Sequence, residues 1–388
     1  MNICHVVPGL HPRAGGPSRT VVQLADALVA QTGVFVTLVS QGQVGEPQVP
    51  SRNVNISRQV GSWRWQMAGI LGLPGRRNLI STLAHTSPEL VHIHGIWHAL
   101  SHWASVRARK RGIPIVLQPR GMLEPWALEW RSLKKKLALW AYQARDLESA
   151  CVLIATADHE AEGFRRFGLR QPIAVIPNGI ERTPELLINK KKGGSGEKNT
   201  RRVLFLGRIH PVKGLLNLLV AWAALNPHDW ELVLAGPDEG GHLTQVQKKI
   251  ARLGLQDSVQ YLGSVEDHQK DTVYQSADLF ILPSLTENFG VVVAEALSYG
   301  LPVITTKGTP WSALEENNCG WWVEPSANGL LGALRDATTK EPEKLHSMGK
   351  FGIEYAKNYD WSAIAKNMAD VYRWMLGSGD QPNNVVLD

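Results

Sequence analysis

Residues 279 to 295 read Leu-Phe-Ile-Leu-Pro-Ser-Leu-Thr-Glu-Asn-Phe-Gly-Val-Val-Val-Ala-Glu. Four apolar residues bounded by a Pro-Ser turn predict a short buried strand, and the run from Gly290 onward predicts a helix. The first backbone N–H groups of a helix have no partner within it and carry the positive end of its dipole. The turn Phe289-Gly290-Val291 therefore suits a phosphate or a sugar hydroxyl. Glu287 falls in the loop facing that turn, and Glu295 two turns down the helix, so two acids could hold the two ends of one ligand. The spacing also suits a structural pairing of Glu295 beside a solvated Glu287, and it does not choose between the two by itself.

Strand-to-helix units of the same kind recur along the chain. Ile3 to Val7, Val34 to Val39, Leu90 to Ile93, Ile113 to Leu117 and Cys151 to Ala155 read as strands with helices between them. The first helix is expected to be capped by Ser18, with Val21, Leu24, Ala25 and Leu28 on one face. The pattern breaks at 181 to 202, where a run of lysines and glycines reads as a linker or surface loop. It restarts with Val203 to Leu206, Leu232 to Ala235, Val259 to Leu262, Leu279 to Leu282 and Val303 to Thr305. Alternation of this kind predicts an α/β protein of two doubly wound, Rossmann-like domains facing across a cleft, with ligands at the carboxyl ends of the strands. The first domain spans 1–180 and the second 203–360. Residues 361–388 form a helix, Trp361 to Leu376, and a loose tail from Gly377.

Composition narrows the function. The 388 residues suffice for two cores, and an apolar content of 44% with 20% charged residues excludes a disordered chain. A formal net charge of +6 fits an anionic ligand or membrane surface. With no basic tract and no zinc-finger spacing, it gives no support to a nucleic-acid partner. Cys4, Cys151 and Cys319 are expected to be buried, reduced thiols. The amino-terminal residues read as a strand and not as a signal peptide. No apolar run approaches the roughly 18 residues of a membrane span, which makes the cytoplasm the expected location.

Further residues point toward a diphosphate. Phe205 to Gly214 places Arg208 just after a strand and Lys213 at the entry to a helix, and two cations there could neutralise a departing diphosphate. Gly15 and Gly16 lie between the first strand and the first helix, where glycine lets backbone approach a ligand closely. His92 and His94 share one strand face. With no acid or cysteine nearby, a ligand-contact or packing role for His94 is preferred to a metal site.

The Glu287-to-Glu295 segment, Gly207-Arg208 followed by Lys213-Gly214, the Val-Ile-Pro-Asn-Gly-Ile run at 175 to 180 and the Gly15-Gly16 loop together resemble the GT-B glycosyltransferases of family 4, also called group 1. These motifs occur in the expected order over most of the chain. The resemblance implies a retaining enzyme that moves a sugar from a UDP-, GDP- or ADP-type nucleotide sugar to a glycan or lipid-linked acceptor, as in bacterial surface polysaccharide synthesis. It places Glu287 by the donor sugar and Glu295 on the ribose. Backbone of Phe289, Gly290 and Val291 completes the donor contacts, and Gly15 and Gly16 add to them. Arg208 and Lys213 take the diphosphate. It also implies that the final helix crosses back onto the first domain. With no Asp-x-Asp triplet in the sequence, no metal or cofactor is expected.

Arg120 departs from the pattern, because relatives often carry a histidine there. Arginine cannot serve as a base near neutral pH but can bind a carboxylate or phosphate, so Arg120 and His94 are candidate sugar or acceptor contacts. Two other readings stay open. One is a different GT-B enzyme, an epimerase or a phosphorylase, and the other is a catalytically silent nucleotide-sugar-binding partner in a polysaccharide assembly complex.

Trp126, Trp130, Leu133, Leu137 and Trp140 fall on one helical stripe with Arg131 and Lys134 to Lys136 beside it. The plain reading, a core-facing helix with a solvated basic side, is preferred. The alternative is a helix lying on an anionic membrane, which would place the protein peripherally on the inner face of the plasma membrane. A second tryptophan-rich stretch, 62–71, is a candidate cover for the acceptor or a membrane contact.

Overall fold

A computed structural model describes residues 1–12, 16–43, 45–61, 73–129, 132–181 and 200–387; at 43, 59–61, 73–75, 126, 129 and 132 only the backbone is described. The chain forms two compact units, Met1–Gly179 together with Trp361–Asp388, and Ile180–Asp360. Gly15, the 62–71 stretch, Trp130, Arg131 and most of the 181–202 linker lie outside the described residues.

The strands in chain order are β1 (Asn2–Val7), β2 (Phe35–Gln43), β3 (Asn55–Gly61), β4 (Leu90–His94), β5 (Ile115–Gln118), β6 (Val152–Ala155) and β7 (Ile173–Val175). They continue with β8 (Arg201–Leu206), β9 (Trp230–Ala235), β10 (Val259–Tyr261), β11 (Leu279–Leu282), β12 (Val303–Thr306), β13 (Gly320–Val323) and β14 (Val385–Val386). The first unit is built on the sheet β14-β7-β6-β5-β4-β1-β2-β3 and the second on β10-β9-β8-β11-β12-β13. Neighbours pair in parallel throughout, except that β14 lies antiparallel to β7. Short apolar strands joined by helices can pair in parallel only through crossovers, and those crossovers put helices on both faces.

In the first unit, one face of the sheet buries Val6, Val91, Ile93 and Leu117 against Leu79, Leu83, Leu100, Ala104 and Phe164 of the covering helices. The other face buries Ile3, Leu90, Val116 and Ile154 against two helices, Gly16–Thr32 and Trp361–Met375. The second of these inserts Ile364, Met368, Val371 and Tyr372. Side chains of this size contribute about 1.5–3 kcal/mol each when fully buried, as an upper estimate. Gly179 lies against the Trp361 indole so closely that a Cβ there would overlap the ring. The second unit has one continuous core, from Ile180 to Ala356.

Several expectations from the sequence fail for identifiable reasons. Ser18 lies inside the helix Gly16–Thr32 and is buried, so it is not the cap. The strands β3, β7, β13 and β14 escaped the apolar-run reading because β3 is polar (Asn-Ile-Ser-Arg-Gln-Val-Gly), β7 and β14 are only three and two residues long, and β13 (Gly-Trp-Trp-Val) opens on a glycine and is only partly buried beyond it. The tail is anchored, since β14 pairs with β7. Strand β8 begins at Arg201, within the stretch assigned to the linker. Cys4 and Cys319 are buried, but Cys151 is exposed because β6 begins one residue after it. The preferred core-facing reading of the Trp/Leu stripe fails most clearly. Leu133, Leu137 and Trp140 are 81%, 65% and 85% exposed, in a segment that passes from the helix Ser132–Ala138 into a π-helical turn at Leu139–Gln143.

Candidate active site

In an open doubly wound sheet, loops leaving the carboxyl ends of two strands on either side of the order reversal part in opposite directions and leave a crevice. In the second unit, these loops follow β8 and β11, which are neighbours. The first contains the 3-10 turn Pro211–Lys213 and the left-handed Gly214 (φ 67°), and it opens the helix Leu215–Leu225. The second runs from Pro283 to Gly290, also left-handed (φ 78°), and opens the helix Val291–Ser298, whose amino terminus has no side-chain cap. The two loops are tied by a bond from Leu285 N to Val212 O (2.8 Å), and the second is tied to Gly308 by Glu287 N to Gly308 O (2.8 Å).

This lacing brings Lys213 and Glu287 together. Lys213 Nζ donates to Glu287 Oε1, and Ser284 Oγ donates to the same oxygen at 3.0 Å. Both side chains are mostly buried, at 12% and 15% exposure. A lysine ammonium has three donors, so one bond to Glu287 leaves two for an incoming anion. Phe289 is buried; its carbonyl accepts from Trp311 Nε1 at 2.6 Å, and its ring packs on Trp311 and Tyr359. Val291 forms the first turn beside Gly290.

The structure leaves Arg208 and Glu295 with other partners. Arg208, about half exposed, donates through Nη1 to both oxygens of Glu239 at 2.6 Å. Glu295 accepts from Lys270 Nζ at 2.9 and 3.2 Å and from Tyr274 Oη at 2.7 Å. Burial and the adjacent Glu295 push the Tyr274 hydroxyl well above its ordinary pKa, which keeps it a donor. Sequence reasoning found none of Glu239, Lys270 and Tyr274. The last two lie on the helix Asp267–Gln275, which the spacing of the Glu287-to-Glu295 segment says nothing about.

The first unit holds a second polar cluster. His94 ends β4, which neighbours β1 at the order reversal of that sheet, and Arg120 follows β5 in a left-handed conformation (φ 57°). The guanidinium donates through Nη1 to Thr20 Oγ1 (3.0 Å) and Asn178 Oδ1 (3.4 Å), and through Nη2 it reaches His94 Nδ1 (3.2 Å). Burial pulls its pKa down to about 10, still far above neutrality, with Glu160 opposing the shift. No ion pair to Arg120 occurs among the described residues. Both Glu160 oxygens are taken by Gly121 N, Thr156 N and Thr156 Oγ1. A partly buried cation that lacks a counterion favours an anionic ligand. Gly16 starts the helix that carries Thr20, and a Cβ on it would meet nothing, so packing does not require a glycine there.

His5, His92 and His94 are all buried, with ring nitrogens within 4.8 Å of one another. Burial drives all three pKa values down, that of His5 to about 3, and Arg120 adds to each shift. Neutral imidazoles are metal donors in general. Here, however, the nitrogens of His5 and His94 are engaged with each other, with Tyr372 and with Arg120, whose charge opposes a cation.

Comparison with known proteins bears on the family and the fold. A family model described as "Glycosyl transferases group 1" matches residues 188–355, and one described as "Glycosyltransferase Family 4" matches residues 14–183. The chain is 25% identical to the GDP-mannose:cellobiosyl-diphosphopolyprenol alpha-mannosyltransferase of Xanthomonas campestris, over 97% of this chain and 98% of that protein. In fold it matches a sucrose-phosphate synthase from Thermosynechococcus elongatus (TM-score 0.80, 22% identity, 98% and 100% of the two chains). It also matches Anabaena HepE in complex with UDP-glucose (TM-score 0.72, 20% identity, 96% and 100%). With its two parallel-sheet units, each carrying a polar cluster where its strand order reverses, the chain belongs to the family 4, or group 1, glycosyltransferases of GT-B fold.

Proposed function

We propose that this glycosyltransferase transfers a sugar, with retention and without a metal, from a nucleoside diphosphate to a glycan or lipid-linked acceptor of bacterial surface polysaccharide synthesis. The observation that carries the reading is the Lys213–Glu287 pair at the carboxyl ends of β8 and β11, beside the uncapped helix start at Gly290. Breaking the anomeric C–O bond leaves the electron pair on the departing phosphate. Stabilisation must therefore come from groups that meet that charge as it forms. Lys213 and the helix amides supply it, and Arg208 adds a second cation once it exchanges Glu239 for phosphate. In front-side transfer, the departing phosphate can accept the acceptor's proton, so no separate base is required. Glu287, held by Lys213 and Ser284, lies against the donor sugar, and Glu295 takes the ribose. Arg120 and His94 contact the acceptor or the sugar.

The likeness to a GDP-mannose-dependent enzyme makes GDP-mannose the first donor to test. For the acceptor side, Leu133, Leu137 and Trp140 stand exposed with Lys134 and Lys136, a combination suited to an anionic bilayer. No described helix is long and apolar enough to cross a membrane.

Removing one donor that acts on developing charge costs about 10²–10³ in turnover. Lys213→Met and Glu287→Gln should each lower sugar transfer by about that factor, with thermal melting close to that of the unaltered protein. Near-normal turnover in both variants would overturn the assignment.

A further inference from the structure

The buried polar chain in the first unit has a direction, and one residue sets it. His5 and His92 face each other in register on β1 and β4, and His94 follows two residues on, so all three point to one side of the sheet. Tyr372, from the helix Trp361–Met375, enters between them. Its hydroxyl lies 2.6 Å from His92 Nδ1 and 3.1 Å from His5 Nε2. His5 Nδ1 lies 3.0 Å from His94 Nε2, and His94 Nδ1 lies 3.2 Å from Arg120 Nη2. The contacts thus run Arg120, His94, His5, Tyr372, His92 without a gap.

Arginine can only donate, whereas a neutral imidazole has one donor and one acceptor nitrogen. If Arg120 donates to His94 Nδ1, the proton of His94 must sit on Nε2 and point at His5 Nδ1. His5 must then carry its proton on Nε2 and donate to the Tyr372 oxygen. The single hydroxyl proton of Tyr372 is left to donate to His92 Nδ1, so His92 also carries its proton on Nε2. That last nitrogen is buried and has no hydrogen-bond partner. At the other end, the Gln118 Oε1 oxygen lies 3.1 Å from the same His94 Nδ1 and asks it for a proton. His94 Nδ1 therefore meets two opposite demands. Without the guanidinium, the reverse order satisfies every contact. His92 Nδ1–H donates to Tyr372, Tyr372 to His5 Nε2, His5 Nδ1–H to His94 Nε2, and His94 Nδ1–H to Gln118 Oε1. Each imidazole keeps one proton in both orders, so the two forms are tautomers of equal charge.

We infer that His5, His92, His94 and Tyr372 form a two-state hydrogen-bonded chain whose polarity is set by Arg120, and that His5 and Tyr372 are positioning residues for the Arg120–His94 pair. With Arg120 on His94, all three imidazoles are protonated on Nε2 and a donor is left unsatisfied at His92. When an anionic group draws the guanidinium away from His94, all three change to Nδ1. Binding at Arg120 is thereby read at Tyr372, on the helix that follows Asp360. The role given to the anionic group rests on the proposed function; the dependence of the tautomers on Arg120 does not.

The test is long-range proton–nitrogen NMR on the full chain labelled with 15N-histidine. The three signals are assigned by single His→Gln variants, and folding is checked by thermal melting. The ligand-free protein should show Nε2-protonated forms at positions 5, 92 and 94. Arg120→Met should move all three to Nδ1, and Arg120→Lys, which keeps a permanent donor, should restore Nε2. In a Tyr372→Phe background, Arg120→Met should still switch position 94 but no longer position 92. Nδ1 protonation of His94 in the unaltered protein, tautomers indifferent to Arg120→Met, or a response at position 92 that survives Tyr372→Phe would each overturn the inference. Titration with GDP-mannose and with inorganic pyrophosphate gives the separate arm. A ligand-induced change to Nδ1 supports the anion role, and saturation of the protein without that change removes it while leaving the Arg120 dependence standing.

Discussion

Acidification should destabilise this protein well above the pH at which carboxylates titrate, and the histidine cluster sets the amount. His5, His92 and His94 are buried and neutral in the fold, with pKa values driven below the ordinary 6.5, that of His5 to about 3. In the unfolded chain they take up protons near pH 6.5. The folded-state values lie below the unfolded ones, so the unfolded state binds more protons as pH falls, and this stability is complete above about pH 7 and lost below it. Each such imidazole contributes a slope approaching about 1.4 kcal/mol per pH unit. Between about pH 7 and about pH 5.5, one histidine that stays neutral in the fold costs roughly 1.3 kcal/mol, and three cost roughly 4 kcal/mol. That is a large part of the 5–15 kcal/mol or so that holds an ordinary domain together. His98 and His242 are also lowered by burial and steepen the total, so the diagnostic quantity is a difference. Urea unfolding followed at several pH values gives the number of protons taken up on unfolding. His92→Gln should reduce that number by about one relative to the unaltered protein. A flat profile over this range, or an uptake unchanged by His92→Gln, would refute the argument.

Two further outcomes follow from the site and the surface. Gly214→Ala places a Cβ against the Pro283 carbonyl at a left-handed position (φ 67°). It should cost about 1–3 kcal/mol of stability and lower sugar transfer with it, because Lys213 precedes the glycine; an unchanged melting temperature would contradict this. Combined Leu137→Ser and Trp140→Ser should leave melting unaltered, since both side chains are exposed, yet reduce sedimentation with phosphatidylserine-containing vesicles, whereas undiminished sedimentation would exclude this patch as the contact.

The buried strands were readable because an apolar run between turn residues has few other uses in a chain of this composition. Leu279–Leu282 was placed to the residue, and β4, β5 and β12 to within two. Strands that pack on only one side or are very short carry no such mark, which is why Asn55–Gly61 and Ile173–Val175 went unseen. Around the candidate site, the positions of Glu287, Lys213 and Gly290 were legible because each lies in the loop between a strand end and the helix that follows it. Their partners were not. Tyr274 and Lys270 approach Glu295 from another helix, and His5 reaches His92 through strand register, which the periodicity of either strand leaves open. The stripe at Leu133, Leu137 and Trp140 shows a different limit. Helical spacing places residues on one side of a helix without saying whether anything covers that side.

The return of residues 361–388 to the first unit has a consequence for biogenesis. Residues 180–360 are contiguous, so every group their sheet needs has been synthesised by the time Asp360 leaves the ribosome. The amino-terminal portion is made first yet stays open until residues 361–387 have been synthesised, with β7 lacking its outer neighbour and His5 and His92 lacking the Tyr372 hydroxyl. A nascent chain stalled short of position 361 thus carries an unclosed apolar face lined by Ile3, Leu90 and Val116, which makes it a natural client for chaperones.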